Sequence, residues 1–423
     1  MIRRTRAVAA ALGLALSLTL TSCAGSSDPP GSQTDQSGCT GDLGTLTLWV
    51  DDTREVALAN AAAQFKAEQC VTVSLVKKNF DDMRQDFVSQ VAAGEGPDIT
   101  VGANDWLGEF MSNGVVAPID LTAVESKLAP AAVQAYKSGG QTYGVPYAME
   151  NIALVRNNAL ASETKATTFD QLIAEAKTAG AKYTILLQMG EKGDAYHLYP
   201  IQSSFGAAMF ETDANGDFTS TLAMGGDPGH QFAQYIAGLG RQGVLSTSIT
   251  DNVAKQQFMD GQAPYMITGP WNTTGPDSFS ETGLDITVLP IPPAGDQPAA
   301  PFLGVPGFFF SSRSPNTLLA QLFLVEYVTR LDVQIDLFKA GGRTPASLEA
   351  QADPIIAEDP IASGFAAAAA NAVVQPSIPA MNSVWAPLGQ TEADLVSGAA
   401  GDLAPTWDKM IADITAAIAD SKP

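Results

Sequence analysis

The stretch LTLWVDDTREVALANAAAQFKAEQCVTVSLV, residues 46–76, contains a strand, a helix and a second strand in succession. Residues 46–50 (LTLWV) are typical of a buried strand, so Trp49 is assigned to the core. Apolar side chains then recur at helical spacing over residues 54–69, and they alternate with polar ones over residues 71–76. The order strand, helix, strand indicates an α/β unit.

The next segment repeats this order. Met83, Phe87 and Val91 are spaced four residues apart, which predicts a second helix, and the turn GEGPD at residues 94–98 ends it. ITV at residues 99–101 predicts a third strand. The resulting βαβαβ order predicts a largely parallel sheet with helices on its faces.

Further elements continue the α/β pattern towards the C-terminus. Strands are predicted over residues 184–188, 286–289 and 305–312, and helices over residues 231–240 and 316–331. A C-terminal helix has one apolar stripe, formed by Trp407, Met410, Ile411, Ile414 and Ile418.

The N-terminus has the pattern of a bacterial lipoprotein signal. Arginines precede an apolar run over residues 7–20, which ends in LTSC with Cys23 as the expected first mature residue. This run is shorter than the roughly 20 apolar residues that span a bilayer. We predict a signal peptide over residues 1–22, a lipid on Cys23 and a flexible tether over residues 23–38. The protein would then be anchored on the extracytoplasmic face of the cell membrane.

The remaining chain is long and acidic. About 385 residues follow the tether, more than one hydrophobic core usually serves, so two domains are expected. The formal charge is -22, and loss of three signal arginines makes it -22 - 3 = -25. With no basic cluster in the mature chain, nucleic acid is excluded as a partner. The acidity fits solubility, with cation binding as the alternative.

The cysteines and histidines are few. Cys39 and Cys70 are predicted to form a disulfide in an oxidising compartment, with two free thiols as the alternative. The only histidines, His197 and His230, are not at ligand spacing from another Cys or His, so no metal site is predicted. No catalytic triad, HExxH motif or phosphate-binding glycine loop can be assembled, and no cofactor is predicted.

Five short motifs combine carboxylates or tryptophans with glycine or proline where strands end. They are LWVDDTR (48–54), GANDWLGEF (102–110), GVPYAMEN (144–151), MITGPW (266–271) and IPAMNSVW (378–385). Because ligands of open α/β sheets bind at the carboxyl ends of strands, these motifs predict a binding cleft.

In this order, the motifs resemble the family 1 extracellular solute-binding proteins of ABC importers, most closely the maltose and maltodextrin-binding proteins. The resemblance runs from about residue 44 to near residue 420, through AAGEGPDI, NDW, YGVPYAMENIALVRNN, FMDGQAPYMITGPW and IPAMNSVW. It implies the periplasmic-binding-protein type II fold, in which two α/β lobes joined by hinge crossings close over a ligand. The implied lobes are residues 39–149 with 306–353, and residues 150–305 with 354–423.

The resemblance also implies a function. The protein would be a monomeric binding component, without catalysis, that delivers a carbohydrate to the transmembrane subunits of an ABC permease. Hydroxyls of a sugar suit carboxylates and arginine, and its C–H faces suit indole rings.

Ten residues are implied as ligand contacts. They are Asp51, Asp52, Arg54, Asp105, Trp106, Glu150, Tyr196, Trp271, Arg343 and Trp385. Glu191 is an alternative to Tyr196, because the resemblance is loose there. Thr53, Gly102 and Trp106 depart from the family pattern, and a stacking surface is expected to have moved from position 102 to position 106.

Structural roles are the alternatives for most of these residues. Asp51, Asp52 or Asp105 could cap a helix, Glu150 could form an ion pair between the lobes, and the tryptophans could belong to the core.

Two rival functions use the same cleft. Asp105 and Glu150 could be the acid and base of a surface glycoside hydrolase. The acidic cleft could instead bind a polyamine or another cation.

Overall fold

The computed structural model describes residues 43–214 and 217–420, together with Cys39 and Gly41. The predicted signal peptide, the lipidation site Cys23 and the tether lie outside the described residues. Among the described helices, none combines the length and apolar character that crossing a membrane requires.

The first sheet has five strands and begins with the βαβαβ unit expected from the sequence. Its first three strands are parallel, and the last two run antiparallel to their neighbours. In spatial order the strands are Val71–Lys77, Gly44–Val50, Ile99–Ala103, Pro306–Phe310 and Gly144–Pro146. Leu46, Leu48 and Val50 are fully buried, which explains the apolar character of that strand.

Helices cover this sheet and form one hydrophobic cluster with it. They are Asp52–Gln69, Phe80–Ala93, Leu107–Ser112, Pro130–Gln134, Thr317–Leu322 and Leu331–Gly341. At the centre of one face, the ring of Phe65 makes edge contacts with Phe323 at 5.2 Å and with Tyr327 at 4.8 Å.

The second sheet has four strands, in the spatial order Ile286–Leu289, Ala153–Asn157, Tyr265–Thr268 and Leu186–Leu187. Its hydrophobic clusters are separate from that of the first sheet and draw on residues between 152 and 302 and between 365 and 418. The accompanying helices are Phe169–Lys177, Ala195–Ser204, Gly226–Arg241, Asp251–Met259, Pro270–Thr273, Pro360–Ala368, Trp385–Ser397 and Leu403–Asp420. Trp407, Met410, Ile414 and Ile418 of the predicted C-terminal stripe are buried there.

We call each sheet with its helices a lobe, the first lobe and the second lobe. Short strand pairs lie where the chain passes between them: Ala148–Met149 pairs with Thr344–Pro345, and Phe302–Leu303 pairs with Val373–Val374. Glu150 and Gly304 form a further bridge. The helices Leu348–Gln351 and Pro354–Ala357 lie on the third passage. The lobe boundaries given above remain predictions.

Smaller elements complete the described chain. Two hairpins pair Lys137–Ser138 with Gln141–Thr142 and Phe210–Thr212 with Phe218–Leu222. Single 3-10 turns occur at Asn104–Trp106, Glu125–Lys127, Ala369–Asn371 and Pro379–Ser383.

The structure differs from the expected elements in two places. The helix expected over residues 316–331 is α-helical only over Thr317–Leu322 and widens to a π turn over Phe323–Tyr327. Arg330 then has extended backbone, which separates this segment from helix Leu331–Gly341. The strand expected over residues 184–188 is reduced to Leu186–Leu187.

Cys39 and Cys70 form a disulfide with a Cα–Cα distance of 5.3 Å. Cys39 precedes strand Gly44–Val50, and Cys70 follows helix Asp52–Gln69 in a left-handed conformation with φ 57°. The bond therefore ties the start of the first lobe to the end of its first helix.

Candidate functional site

Strand ends place polar side chains where the two lobes meet. Strand Ile99–Ala103 leads directly into the turn that contains Asp105, and strand Tyr265–Thr268 leads into helix Pro270–Thr273, which contains Trp271. Helix Leu107–Ser112 of the first lobe contacts turn Pro379–Ser383 of the second. We call the surface between the lobes, from Asp105 and helix Leu107–Ser112 to residues 375–385, the seam.

Asp105 and Trp385 form a direct hydrogen bond across the seam. The indole Nε1 of Trp385 donates to Oδ2 of Asp105 at 3.1 Å. Asp105 is only 4% exposed, and its Oδ1 has no hydrogen-bond partner within the described chain. Burial raises the pKa of Asp105 from the usual 3.8 to about 6, although Arg84 and the indole N–H oppose the rise. No side chain caps the turn that contains Asp105, so the helix-cap alternative is wrong for this residue.

Asn104, beside Asp105, fixes the same turn to two passages of the chain. Its Nδ2 donates to the carbonyl oxygen of Gln375 at 3.0 Å, and its Oδ1 accepts from the backbone N–H of Val305 at 2.9 Å. Both of its polar atoms are therefore used internally, whereas Oδ1 of Asp105 has no partner within the described chain.

Arg54 is the centre of a buried polar group in the first lobe. It donates to the carboxylate of Asp51 and, through Nε, to the hydroxyl of Tyr147 at 2.5 Å. Burial alone would lower the pKa of Arg54, but Asp51, Tyr147 and Glu150 outweigh it and raise the pKa. Asp51 also caps helix Asp52–Gln69 by accepting from the backbone N–H of Arg54 at 3.0 Å.

Glu150 and Arg343 form a second buried pair, close to the passages between the lobes. Nε of Arg343 donates to Oε2 of Glu150 at 2.5 Å, and the two side chains are 8% and 15% exposed. Glu150 therefore forms an ion pair, which was the structural alternative for this residue. The guanidinium carbon of Arg343 also lies 5.7 Å from the ring centroid of Trp271, which brings this pair to the second lobe.

Aromatic rings of the second lobe form a continuous row. The ring centroids of Trp271 and His197 are 6.0 Å apart, and those of His197 and Tyr196 are 5.5 Å apart. The ring centroid of Phe302 lies 6.1 Å from that of Tyr196 and 6.0 Å from that of Trp385. Trp271 and Trp385 are half-buried rather than fully buried, so part of each indole is available to a ligand. The hydroxyl of Tyr196 is buried without a partner in the described chain.

Three predicted residues have different surroundings from the rest. Asp52 is 74% exposed and forms an ion pair with Lys77, away from the seam. Glu191 is exposed, whereas its alternative Tyr196 belongs to the aromatic row. Trp106 is only 6% exposed and packs on Phe80 at 4.9 Å.

The position of Trp106 explains the unusual Gly102. A Cβ atom at position 102 would lie 2.4 Å from a carbon of the Trp106 ring. The indole therefore fills the space that a side chain at position 102 would occupy. The expected shift of an aromatic ring from position 102 to position 106 therefore has a steric basis. Stacking of Trp106 on a ligand remains a prediction.

Sequence reasoning missed Asn104, Tyr147 and His197. Asn104 and Tyr147 lie inside the motifs GANDWLGEF and GVPYAMEN. Asn104 directly precedes Asp105, and Tyr147 precedes Glu150 by three residues, so their place in the motifs was the available signal. His197 follows Tyr196 directly in the sequence. The spacing of the histidines excludes a metal site but says nothing about a hydrogen bond from a single imidazole. Among the described residues, no group of three or more His, Cys, Asp or Glu side chains could hold a metal ion.

Comparisons with known proteins agree with this architecture. Residues 60–364 match the family model described as "Bacterial extracellular solute-binding protein". The maltotriose-binding protein of Pyrococcus abyssi is 27% identical over 81% of this chain and 75% of its own length. The galactooligosaccharide-binding protein of Bacillus subtilis is 26% identical over 91% of each chain.

The fold has a close match among solved structures. The Thermus thermophilus maltotriose-binding protein, bound with maltotriose, superposes with a TM-score of 0.80 at 26% identity. The match covers 88% of this chain and 100% of that one. The fold is therefore the periplasmic-binding-protein type II fold, and the chain belongs to the bacterial extracellular solute-binding protein family.

Proposed function

We propose that the protein is the lipid-anchored substrate-binding component of an ABC carbohydrate importer. It would bind maltose or malto-oligosaccharide-like sugars at the seam as a monomer and deliver them to the transmembrane subunits of a permease. The observation that carries the proposal is the hydrogen bond between Asp105 and Trp385 across the seam. The row of aromatic rings connects Trp385 to Trp271 through Phe302, Tyr196 and His197. The lipid on Cys23 rests on the sequence pattern alone.

The chemistry of the seam suits a sugar. Half-buried indoles offer flat apolar faces to the C–H faces of pyranose rings, each contact contributing about 1 kcal/mol. Oδ1 of Asp105 and the hydroxyl of Tyr196 offer hydrogen-bonding atoms that the described chain leaves unused. Buried polar atoms without partners are costly, and ligand hydroxyls would satisfy them.

The charges of the seam favour a neutral ligand. Arg54 is paired with Asp51, and Arg343 is paired with Glu150, so neither arginine has surplus charge for an anion. Asp105 accepts a hydrogen bond from the indole of Trp385, and burial works against its ionisation. A polyamine would need several unpaired carboxylates, and two of the three predicted carboxylates named here, Asp51 and Glu150, are already paired with arginines.

Contacts across the seam also support delivery by lobe closure. A Cβ at Gly108 would lie 2.6 Å from the backbone nitrogen of Pro379, so the lobes touch backbone to backbone there. A ligand of sugar size would enter between lobes that open and would shift the population back towards the closed form. Such a shift is a signal that a permease can recognise.

Titration calorimetry of the purified protein with maltose, maltotriose, trehalose, a galacto-oligosaccharide and spermidine tests the proposal. We expect a neutral oligosaccharide to bind and spermidine not to bind. Binding of spermidine alone would overturn the carbohydrate assignment. Chromatography of the sugar after incubation tests the hydrolase alternative, which requires cleavage at enzyme-like rates.

Substitutions test the site within this proposal. We expect Trp271→Ala and Trp385→Ala each to weaken sugar binding about tenfold, the loss of one stacking ring, without unfolding the protein. Trp407→Phe is the control, because Trp407 is a fully buried tryptophan of the same lobe whose Nε1 bonds the carbonyl oxygen of Met224. Unchanged sugar affinity in both Trp271→Ala and Trp385→Ala would contradict the stacking role.

A further inference from the structure

His197 has one ring nitrogen engaged and the other unengaged, although the side chain is buried. Its Nδ1 lies 3.0 Å from the carboxylate of Asp194, whereas Nε2 has no hydrogen-bond partner within the described chain. The residue is 4% exposed. An imidazole nitrogen in this situation lacks a hydrogen bond that water would otherwise supply.

Asp194 fixes which nitrogen holds the proton. Its carboxylate also accepts from the backbone N–H of His197 at 3.0 Å and from Nε2 of Gln188 at 2.6 Å. Burial pushes the pKa of Asp194 up, but the attraction to His197 and the hydrogen bonds from His197 and Gln188 outweigh it and lower the pKa. An ionised carboxylate only accepts, so Nδ1 is the donor to Asp194, and the tautomer with its proton on Nδ1 presents the Nε2 lone pair as an acceptor.

The position of His197 directs it to the seam. Its ring lies between those of Trp271 and Tyr196 in the aromatic row, at 6.0 Å and 5.5 Å. The ring is nearly perpendicular to the indole, at 85°. A sugar unit held against Trp271 would therefore have its hydroxyls within reach of the imidazole edge.

We propose that His197 is a specificity-determining residue, whose Nε2 accepts a hydrogen bond from one hydroxyl of the bound sugar. Asp194 is its positioning residue, because it holds the proton on Nδ1. This inference rests on the proposed function and deepens it by naming the group that distinguishes a hydroxylated sugar unit from its deoxy analogue. Sites built to bond a hydroxyl discriminate strongly against ligands that lack it.

Charged groups around the pair do not supply the missing partner. Glu392 approaches Asp194 from helix Trp385–Ser397 and is fully buried, with neither carboxyl oxygen hydrogen-bonded within the described chain. Burial raises the pKa of Glu392 well above its usual range, and the charge of Asp194 adds to this rise. Arg343 is near Trp271, but it is engaged by Glu150.

Calorimetry with maltotriose and its monodeoxy analogues tests the assignment. For the wild type, we expect removal of one particular hydroxyl to weaken binding about three- to tenfold, the loss of one hydrogen bond. His197→Phe should bind maltotriose more weakly by a similar factor, and it should show less than about twofold discrimination at that same hydroxyl. His197→Gln, whose amide can reach the Nε2 position, should restore part of the discrimination.

His230→Phe is the matched control. His230 is the only other histidine of the chain and bonds Asp408 at the surface, at 2.7 Å. Melting temperatures establish that each variant is folded. If His197→Phe and His197→Gln both keep the full wild-type pattern of discrimination, the inference is overturned while the carbohydrate function stands. If the wild type binds no sugar, the proposed function fails and the inference falls with it.

Discussion

Replacing Asp105 with asparagine should change how the stability of the protein depends on pH. The free aspartate has a pKa of 3.8, and burial raises that of Asp105 to about 6. The difference of about 2 pKa units corresponds to about 3 kcal/mol, at 1.36 kcal/mol per unit. Because the folded protein binds this proton more tightly than the unfolded chain, its contribution to stability is fully present below pH 3.8. It is lost as the pH rises through about 6.

Asparagine has nearly the same size, and its amide oxygen can still accept from the indole of Trp385. We therefore expect Asp105→Asn and the wild type to have similar free energies of unfolding near pH 4. Near pH 7 the variant should be more stable by up to about 3 kcal/mol. Urea denaturation followed by circular dichroism between pH 4 and pH 7.5 measures the difference.

The same substitution at Asp52, whose side chain is 74% exposed, measures the effect of removing a carboxylate away from the seam. A difference between Asp105→Asn and wild type that stays constant over this pH range would refute the reasoning. It would mean that the carboxylate ionises freely in the folded protein, and hence that the seam does not close over Asp105 in solution.

Three further substitutions or treatments have defined outcomes. Glu150→Gln should destabilise the protein by about 3 kcal/mol by leaving Arg343 buried without a carboxylate, and combining it with Arg343→Met should recover part of this loss in urea denaturation. Reduction of the Cys39–Cys70 disulfide should cost about 3 to 4 kcal/mol by the loop-entropy relation, seen as a lower denaturation midpoint. Gly193→Ala should lower the melting temperature, because φ is +70° and the new Cβ would lie 1.8 Å from a backbone oxygen of the facing helix.

Local sequence patterns predicted the elements that depend on local periodicity. The strand at residues 46–50 and the two helices after it followed from apolar spacing, because each element buries one continuous face against the sheet. The end of the helical segment after Tyr327 could not be predicted from apolar spacing. The apolar spacing continues through it, and the π turn depends on packing of Phe323 and Tyr327 against Phe65, far away in sequence.

The candidate site, like the fold, could be predicted from local sequence only in part. Tryptophans and carboxylates at strand ends indicated residues such as Asp105 and Trp385, which the structure brings together, but the contact itself is long-range. Trp385 bonds Asp105 across 280 residues, and Asn104 bonds Gln375 across 271. No local pattern reports that Asp52 points to Lys77 or that Trp106 fills the space above Gly102.

Under the proposed function, the bond between Asp105 and Trp385 would connect ligand binding to lobe closure. Closure buries a carboxylate and satisfies only one of its oxygens, so the empty closed form has an unfavourable desolvation cost at neutral pH. A sugar hydroxyl donating to Oδ1 would remove this cost only when both lobes surround it. The ligand then binds the closed form better than the open one, and that differential affinity is what a population shift requires. Under the proposed function, an incompletely satisfied carboxylate at the seam would therefore keep the empty protein from closing as readily as the loaded one.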